Sequence, residues 1–244
     1  MMDLDNAQKP EAVASLIDHT LLKPEATQAD IVRLCAEALE YKFASVCINP
    51  CWVSVAAEAL DGSPVRVCTV IGFPLGANDP RTKCAEADLA MSRGAQEIDM
   101  VQNIGALRSG DYHLVYKEIG DIAEVAHSYG GFLKVILETC LLSEQEKINV
   151  CGFAKQSHAD FVKTSTGFST GCATVADVAL MRRAVGEKMG VKASGGIRTL
   201  EQLRAMVAAG ANRIGASAGV SIMRELNADL PGPFPIVAHE KDTY

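Results

Sequence analysis

The chain has 244 residues, of which 48% are hydrophobic and 22% charged, with a net charge of −7 at pH 7. That length suits one α/β barrel, and the acidic balance argues against a nucleic-acid partner, since non-specific binding needs a basic surface. No apolar run approaches the roughly 20 residues of a membrane helix, and the N-terminus lacks the basic start and apolar stretch of a secretory signal, so no membrane partner is expected.

After an amphipathic stretch at 6–14, residues 16–22 read as a first strand carrying Asp18, His19 and Thr20. Thr27 is placed to cap a helix over 29–41, whose Ile31, Leu34, Cys35, Ala38 and Leu39 recur at helical spacing. Residues 45–49 form a second strand, and Pro50 suits the turn into an alanine- and valine-rich helix ending near Leu60. The nearly continuous apolar run 65–71 is a strand covered on both faces. A Gly72-Phe73-Pro74-Leu75-Gly76 loop follows, then a helix over 81–93 stopped by Gly94. Residues 97–101 are the fourth strand, with Glu97 and Asp99 on one face, and one long helix covers 111–129. Strand five spans 133–137, and Ser143 with Glu146 reads as a capping box. Strand six, 161–164, leads to a helix over 173–185. Strand seven, 191–193, precedes a helix over 200–209, and strand eight, 213–216, a last helix over 220–226. The proline-rich residues 231–244 are expected to form an extended, mobile tail. Eight strand–helix units in alternation predict a single (β/α)8 TIM barrel over residues 1–244, with a short N-terminal helix, in preference to a doubly wound sheet.

Three lysines interrupt apolar strands: Lys134, Lys163 and Lys192. Lysine is seldom fully buried unless paired, and one such residue would ordinarily snorkel to solvent. Three in consecutive strands, two of them running into glycine or hydroxyl clusters, point instead to a Schiff-base lysine with a cationic neighbour. Period-two alternation can place Asp18, Cys47, Asp99, Lys134, Lys163 and Lys192 together on the inward face, with Ile98, Met100, Val135, Val162 and Val191 packing outward. Barrel chemistry sits at the C-terminal strand ends, and phosphate often binds after strands seven and eight. Ser194-Gly195-Gly196 and Gly215-Ala216-Ser217 fall at those places, and Gly167 can approach the same anion. Arg198 either assists them or lies on the outer helix. His19 faces opposite to Asp18 by parity and reads as a core or hydrogen-bonded histidine. The histidines show no metal-ligand spacing, and no GxxxxGK[ST] or first-strand GxGxxG motif occurs, so neither metal nor cofactor is expected. Eight cysteines without a CxxC pair fit reduced thiols in a cytoplasmic protein.

At these residues the sequence resembles the deoxyribose-phosphate aldolases, a class I barrel family. The resemblance is carried by Ile17-Asp18-His19-Thr20-Leu21-Leu22-Lys23-Pro24, Val46-Cys47-Ile48-Asn49-Pro50, the Gly72–Gly76 loop with Val70-Ile71, Glu97-Ile98-Asp99-Met100-Val101, residues 160–167 and Lys192-Ala193-Ser194-Gly195-Gly196-Ile197-Arg198. It implies that Lys163 forms the Schiff base, that Lys192 is the cation that tunes it, and that Asp99 is the acid/base partner. Asp18, Thr20, Cys47 and Lys134 would support them, with Cys47 as a thiol beside the imine. The implied partners are phosphosugar and aldehyde substrates and a second copy of the chain in a homodimer. Some family members end in tyrosine, as this chain does at Tyr244, which is expected to visit the site and move a proton between imine and enamine. Where the family commonly reads Thr-Gly-Gly-Ala-Thr, this chain has Thr170-Gly171-Cys172-Ala173-Thr174, which predicts altered loop geometry if that glycine is left-handed. Two rival readings are an imine-forming barrel aldolase with another donor and a non-catalytic sugar-phosphate binder.

Overall fold

Alternation along each strand, combined with parallel pairing, decides what fills the barrel. A computed structural model describes residues 9–229. In chain order its elements are α1 (Pro10–Ala14), β1 (Ile17–Leu21), α2 (Gln28–Tyr41), β2 (Ser45–Ile48), α3 (Val53–Ala59), β3 (Arg66–Ile71), α4 (Pro80–Ser92), β4 (Glu97–Val101), α5 (Ile104–Arg108), α6 (Tyr112–Ser128), β5 (Phe132–Ile136), α7 (Glu144–Gln156), β6 (Phe161–Lys163), α8 (Val175–Val185), β7 (Gly190–Ser194), α9 (Leu200–Ala208), β8 (Arg213–Ala216) and α10 (Gly219–Asp229). The eight strands pair in parallel and in sequence order, and β1 closes on β8, which makes the (β/α)8 TIM barrel.

The main apolar core lies between strands and helices, not inside the barrel. Ile98, Met100, Val135, Val162 and Val191 are fully buried there, as parity predicts, against helix residues such as Ile119, Ile122 and Met181. Each side chain of this kind stabilises the fold by about 1.5–3 kcal/mol on burial. Inside, the apolar cluster shrinks to Leu22, Cys47, Cys68 and Val70, with Phe73 packed against it. A barrel interior is ordinarily filled by branched apolar side chains; charged groups replace them here.

The caps follow side-chain chemistry. Thr27 and Ser143 form capping boxes with Asp30 and Glu146, and Asp79, Asn103, Asp111, Thr174 and Thr199 also accept backbone N–H groups of the helices they precede. The region after β4 differs from expectation. Asn103 opens the separate short helix α5, and the chain turns at Gly110 before α6 begins. Five residues are too few to show a helical period. Of the expected 6–14 stretch, α1 is the described part. The tail at 231–244, including Tyr244, lies outside the described residues. No described helix is long and apolar enough to cross a membrane.

Outside the barrel, Lys83 and Glu118 make a fully buried ion pair at 2.9 Å between α4 and α6. Lys83 Nζ also donates to the Val101 carbonyl, and Glu118 Oε1 accepts from the Asn103 N–H at 3.0 Å. The C-terminal end of β4, which carries Asp99, is thereby tied down from behind.

Candidate active site

Strand register builds the site. Asp99 pairs with Lys134 across β4–β5, and Lys163 with Lys192 across β6–β7. Asp18, Cys68, Lys134 and Lys192 come from alternate strands and share one level of the barrel, with Cys47, Asp99, Lys163 and Gly215 at the next. All six inward residues expected from parity are in the interior, and all are buried.

Their contacts form one network. Asp99 Oδ2 accepts from Lys163 Nζ at 2.8 Å and Lys192 Nζ at 2.7 Å, while Oδ1 accepts from Lys134 Nζ at 2.8 Å and the Cys68 thiol at 3.2 Å. Lys134 also pairs with Glu97 at 2.5 Å, and Lys192 with Asp18. Arg213 bridges Asp18 Oδ1 at 2.7 Å and Glu97 Oε1 at 3.0 Å. Ser45 Oγ donates to Asp18 Oδ1 at 2.7 Å. Glu97 and Arg213 were absent from the sequence-predicted site. The signal existed: both are charged, both lie in strands, and both share inward parity with neighbours already singled out.

The electrostatics follow from the pairing. Burial alone would push the Asp99, Asp18 and Glu97 carboxyls up, but adjacent ammonium and guanidinium groups outweigh it and hold all three below the usual range. Burial likewise disfavours the charged forms of Lys134 and Lys192, yet the carboxylates around them hold both above the ordinary lysine value. A hydrogen bond with Cys68, together with nearby lysine charge, overcomes burial to lower the Cys47 thiol, while burial raises Cys68. The buried set holds three carboxylates, Asp18, Glu97 and Asp99, against four cations, Lys134, Lys163, Lys192 and Arg213. One cation is surplus. Lys134 and Lys192 each make two ion pairs, whereas Lys163 makes one. Lys163 is thus the lysine that fewest carboxylates hold.

Lys163 is also the lysine of these three that lines the cavity at the barrel mouth, about 260 Å³ in volume. The other walls include Thr20, Lys23, Thr166, Gly167, Phe168, Gly195, Gly196, Arg198, Gly215 and Ser217. Arg198 precedes α9 and lines this cavity. Cys47 is fully buried outside this lining, packed with Cys68. The backbone N–H groups of Gly167, Gly195, Gly196 and Ser217 meet no acceptor among the described residues. Gly167, Gly195 and Gly196 have φ of 84°, 90° and 77°, conformations that L side chains rarely adopt. The need for glycine at 215 is different: a Cβ there would stand 3.0 Å from Lys192 Cε and 2.9 Å from Ser194 Cβ. Gly215 makes room for a lysine.

Among the described residues the left-handed non-glycine positions are Lys42, Glu138 and His158, so Cys172 does not occupy a left-handed position. Its thiol packs at Gly196, 2.9 Å from where a Cβ would sit. His19, facing away from Asp18, bonds Glu37 through Nε2 at 2.6 Å. Two buried sets of ligand-type side chains occur among the described residues, Cys47-Cys68-Asp99 and Asp18-Cys68-Glu97. Every carboxylate in them already faces ammonium or guanidinium groups, whose charge would repel a dication.

Comparison with known proteins agrees with this geometry. Residues 12–227 match the family model described as DeoC/LacD family aldolase. A deoxyribose-phosphate aldolase of Caldanaerobacter subterraneus subsp. tengcongensis is 60% identical over 214 residues, covering 87% of this chain and 93% of that protein. One from Lysinibacillus sphaericus is 57% identical over 216 residues, covering 88% and 96%. Among solved structures, the deoxyribose phosphate aldolase of Aeropyrum pernix, described as having a unique tetrameric structure, superposes with a TM-score of 0.87 at 36% identity, covering 93% of this chain and 96% of that one.

Proposed function

Because the chain belongs to the DeoC/LacD family of aldolases, we propose that it reversibly cleaves 2-deoxy-D-ribose 5-phosphate to acetaldehyde and D-glyceraldehyde 3-phosphate through a Schiff base on Lys163. The observation that carries this reading is the unequal pairing of the three buried lysines: Lys163 has a single carboxylate partner and faces the cavity.

In the synthetic direction the neutral amine of Lys163 adds to the acetaldehyde carbonyl, and loss of water from the carbinolamine gives an iminium. The iminium draws electrons from the adjacent methyl group, whose proton leaves through a water towards Asp99, forming an enamine. The enamine carbon attacks the aldehyde of glyceraldehyde 3-phosphate, and water then hydrolyses the new iminium to free the sugar and regenerate Lys163. Lys192 stays charged between Asp18 and Asp99, so positive charge beside Lys163 persists while that amine acts. Asp99 holds both lysines to one oxygen, which places the acid/base group beside the reacting nitrogen. The unbonded N–H groups of Gly167, Gly195, Gly196 and Ser217 suit a phosphate, with Arg198 and Lys23 adding positive charge at the rim. Thr20 lines the same cavity within reach of the substrate. A homodimer remains the proposed assembly, to be read by light scattering.

Borohydride reduction in the presence of acetaldehyde, followed by peptide mass mapping, tests the mechanism. The adduct is expected on Lys163 and absent in Lys163→Arg, whose guanidinium stays protonated. Adduct on Lys134 or Lys192 would refute the assignment, and absence of any adduct would favour a non-catalytic binder. Parallel trials with acetaldehyde, dihydroxyacetone phosphate and pyruvate identify the donor.

A further inference from the structure

Glu138 has no part in the chemistry above, yet its placement is unusual. It follows β5 at the barrel mouth, is 2% exposed, and sits in the left-handed region at φ 59°, ψ 64°. That conformation is unfavourable for a side chain with a Cβ, and it persists only where surrounding contacts hold it. The Glu138 carbonyl accepts from the Leu141 N–H at 3.0 Å, and the hydrogen bonds of its carboxylate all come from one residue. Thr166 donates its hydroxyl to Glu138 Oε2 at 2.5 Å, and its N–H reaches both carboxylate oxygens at 3.3 Å. Among the described residues no cation forms an ion pair with Glu138, which separates it from Asp18, Glu97 and Asp99.

The consequence falls on the adjacent turn. With its proton committed to Glu138, Thr166 Oγ1 turns its lone pairs to the Phe168 N–H, which donates to it at 3.0 Å. The residue between, Gly167, is left at φ 84° with its N–H unbonded, and it lines the same cavity as Thr166 and Phe168. Thr139 N–H donates to the Thr164 carbonyl at 3.0 Å, so the loop bearing Glu138 and the turn bearing Gly167 are joined on both sides.

We propose that Glu138 is a positioning residue that, through Thr166, presents the Gly167 N–H to the substrate phosphate and so sets the preference for phosphorylated over unphosphorylated sugar. This rests on the proposed function for its substrate, though not for its test. Glu138→Gly removes the carboxylate while relieving the left-handed strain; Glu138→Gln keeps an oxygen that can accept from Thr166. Each is compared with the wild type for inorganic phosphate affinity by calorimetry, and for kcat and KM on 2-deoxyribose 5-phosphate and 2-deoxyribose. For Glu138→Gly, phosphate affinity is expected to fall about ten-fold and KM for the phosphorylated sugar to rise about ten-fold, the scale of one lost hydrogen bond to a charged group, with kcat changed by less than about two-fold. Cleavage of 2-deoxyribose should move by less than about two-fold, and Glu138→Gln should recover most of the phosphate affinity. Equal losses on both sugars, unchanged phosphate affinity, or failure of glutamine to rescue would overturn the proposal. Should Glu138→Gly not fold, Thr166→Ala and Thr166→Ser provide the same contrast, loss against rescue. Phosphate binding needs no turnover, so it decides this point even if borohydride traps no imine on Lys163.

Discussion

Replacing Asp99 with asparagine nearly preserves volume and keeps one acceptor oxygen, but it removes a charge on which three buried lysines converge. The interior then holds the two carboxylates Asp18 and Glu97 against the same four cations. At an effective dielectric near 20, each ammonium–carboxylate attraction is on the order of 4 kcal/mol at 4 Å. The net cost is smaller than three such attractions, because a lysine can shed a proton or the structure can relax. Breaking one buried ionic partnership typically costs about 3–5 kcal/mol. We therefore expect Asp99→Asn to lose about 4 kcal/mol at pH 7 in equilibrium urea unfolding. The pH dependence has a definite sign. Burial pushes the Asp99 carboxyl up, and the lysines pull it well below its ordinary value of 3.8. A depressed carboxylate contributes stability that is complete above its unfolded pKa and is lost as pH falls through the folded one. The deficit of the variant should therefore be full at neutral pH and narrow once the pH drops below about 4. A deficit under about 1 kcal/mol at pH 7, or one that widens on acidification, would refute the charge accounting. Exchange of the acetaldehyde methyl protons with deuterated water should also fail in this variant, since the enamine step loses its acid/base group.

Three further outcomes are expected. Lys163 and Lys192 share one Asp99 oxygen, so removing the second charge in Lys192→Leu should shift the borohydride-trapping rate profile towards higher pH; an unchanged profile would exclude charge coupling between them. Gly215→Ala inserts a Cβ against Lys192 and Ser194, and should cost about 1–3 kcal/mol of stability while lowering kcat more than it raises KM; a silent variant would show that Lys192 has room to move. Lys83→Met should cost about 3–5 kcal/mol by stranding Glu118, and adding Glu118→Leu should recover much of that loss; additive losses in thermal or urea unfolding would contradict a coupled pair.

Much of this protein was legible without coordinates, because the informative patterns are local. A strand period of two assigns each residue to one of two faces, so Asp99, Lys134, Lys163 and Lys192 could be aligned once eight strand–helix units suggested a barrel. Thr27, Ser143 and Glu146 marked helix starts because a cap acts within three residues. What tertiary structure alone decided is how the charges pair. Parity put Asp18 and Lys192 on the same side, but closure of β8 onto β1 brings Arg213 to Asp18 across 195 positions of sequence and completes the count of carboxylates and cations. Packing of β7 beside β8 made Gly215 a clearance for Lys192, and the loop after β7 carries Arg198 to the cavity. Glu138 was invisible for a related reason: neither a left-handed φ nor a bond to Thr166 leaves any periodic trace. Periodicity determines which face a side chain takes; which charge neutralises which depends on distances of a few ångströms between strands remote in sequence, and Coulomb energy in a dry interior is steep over that range.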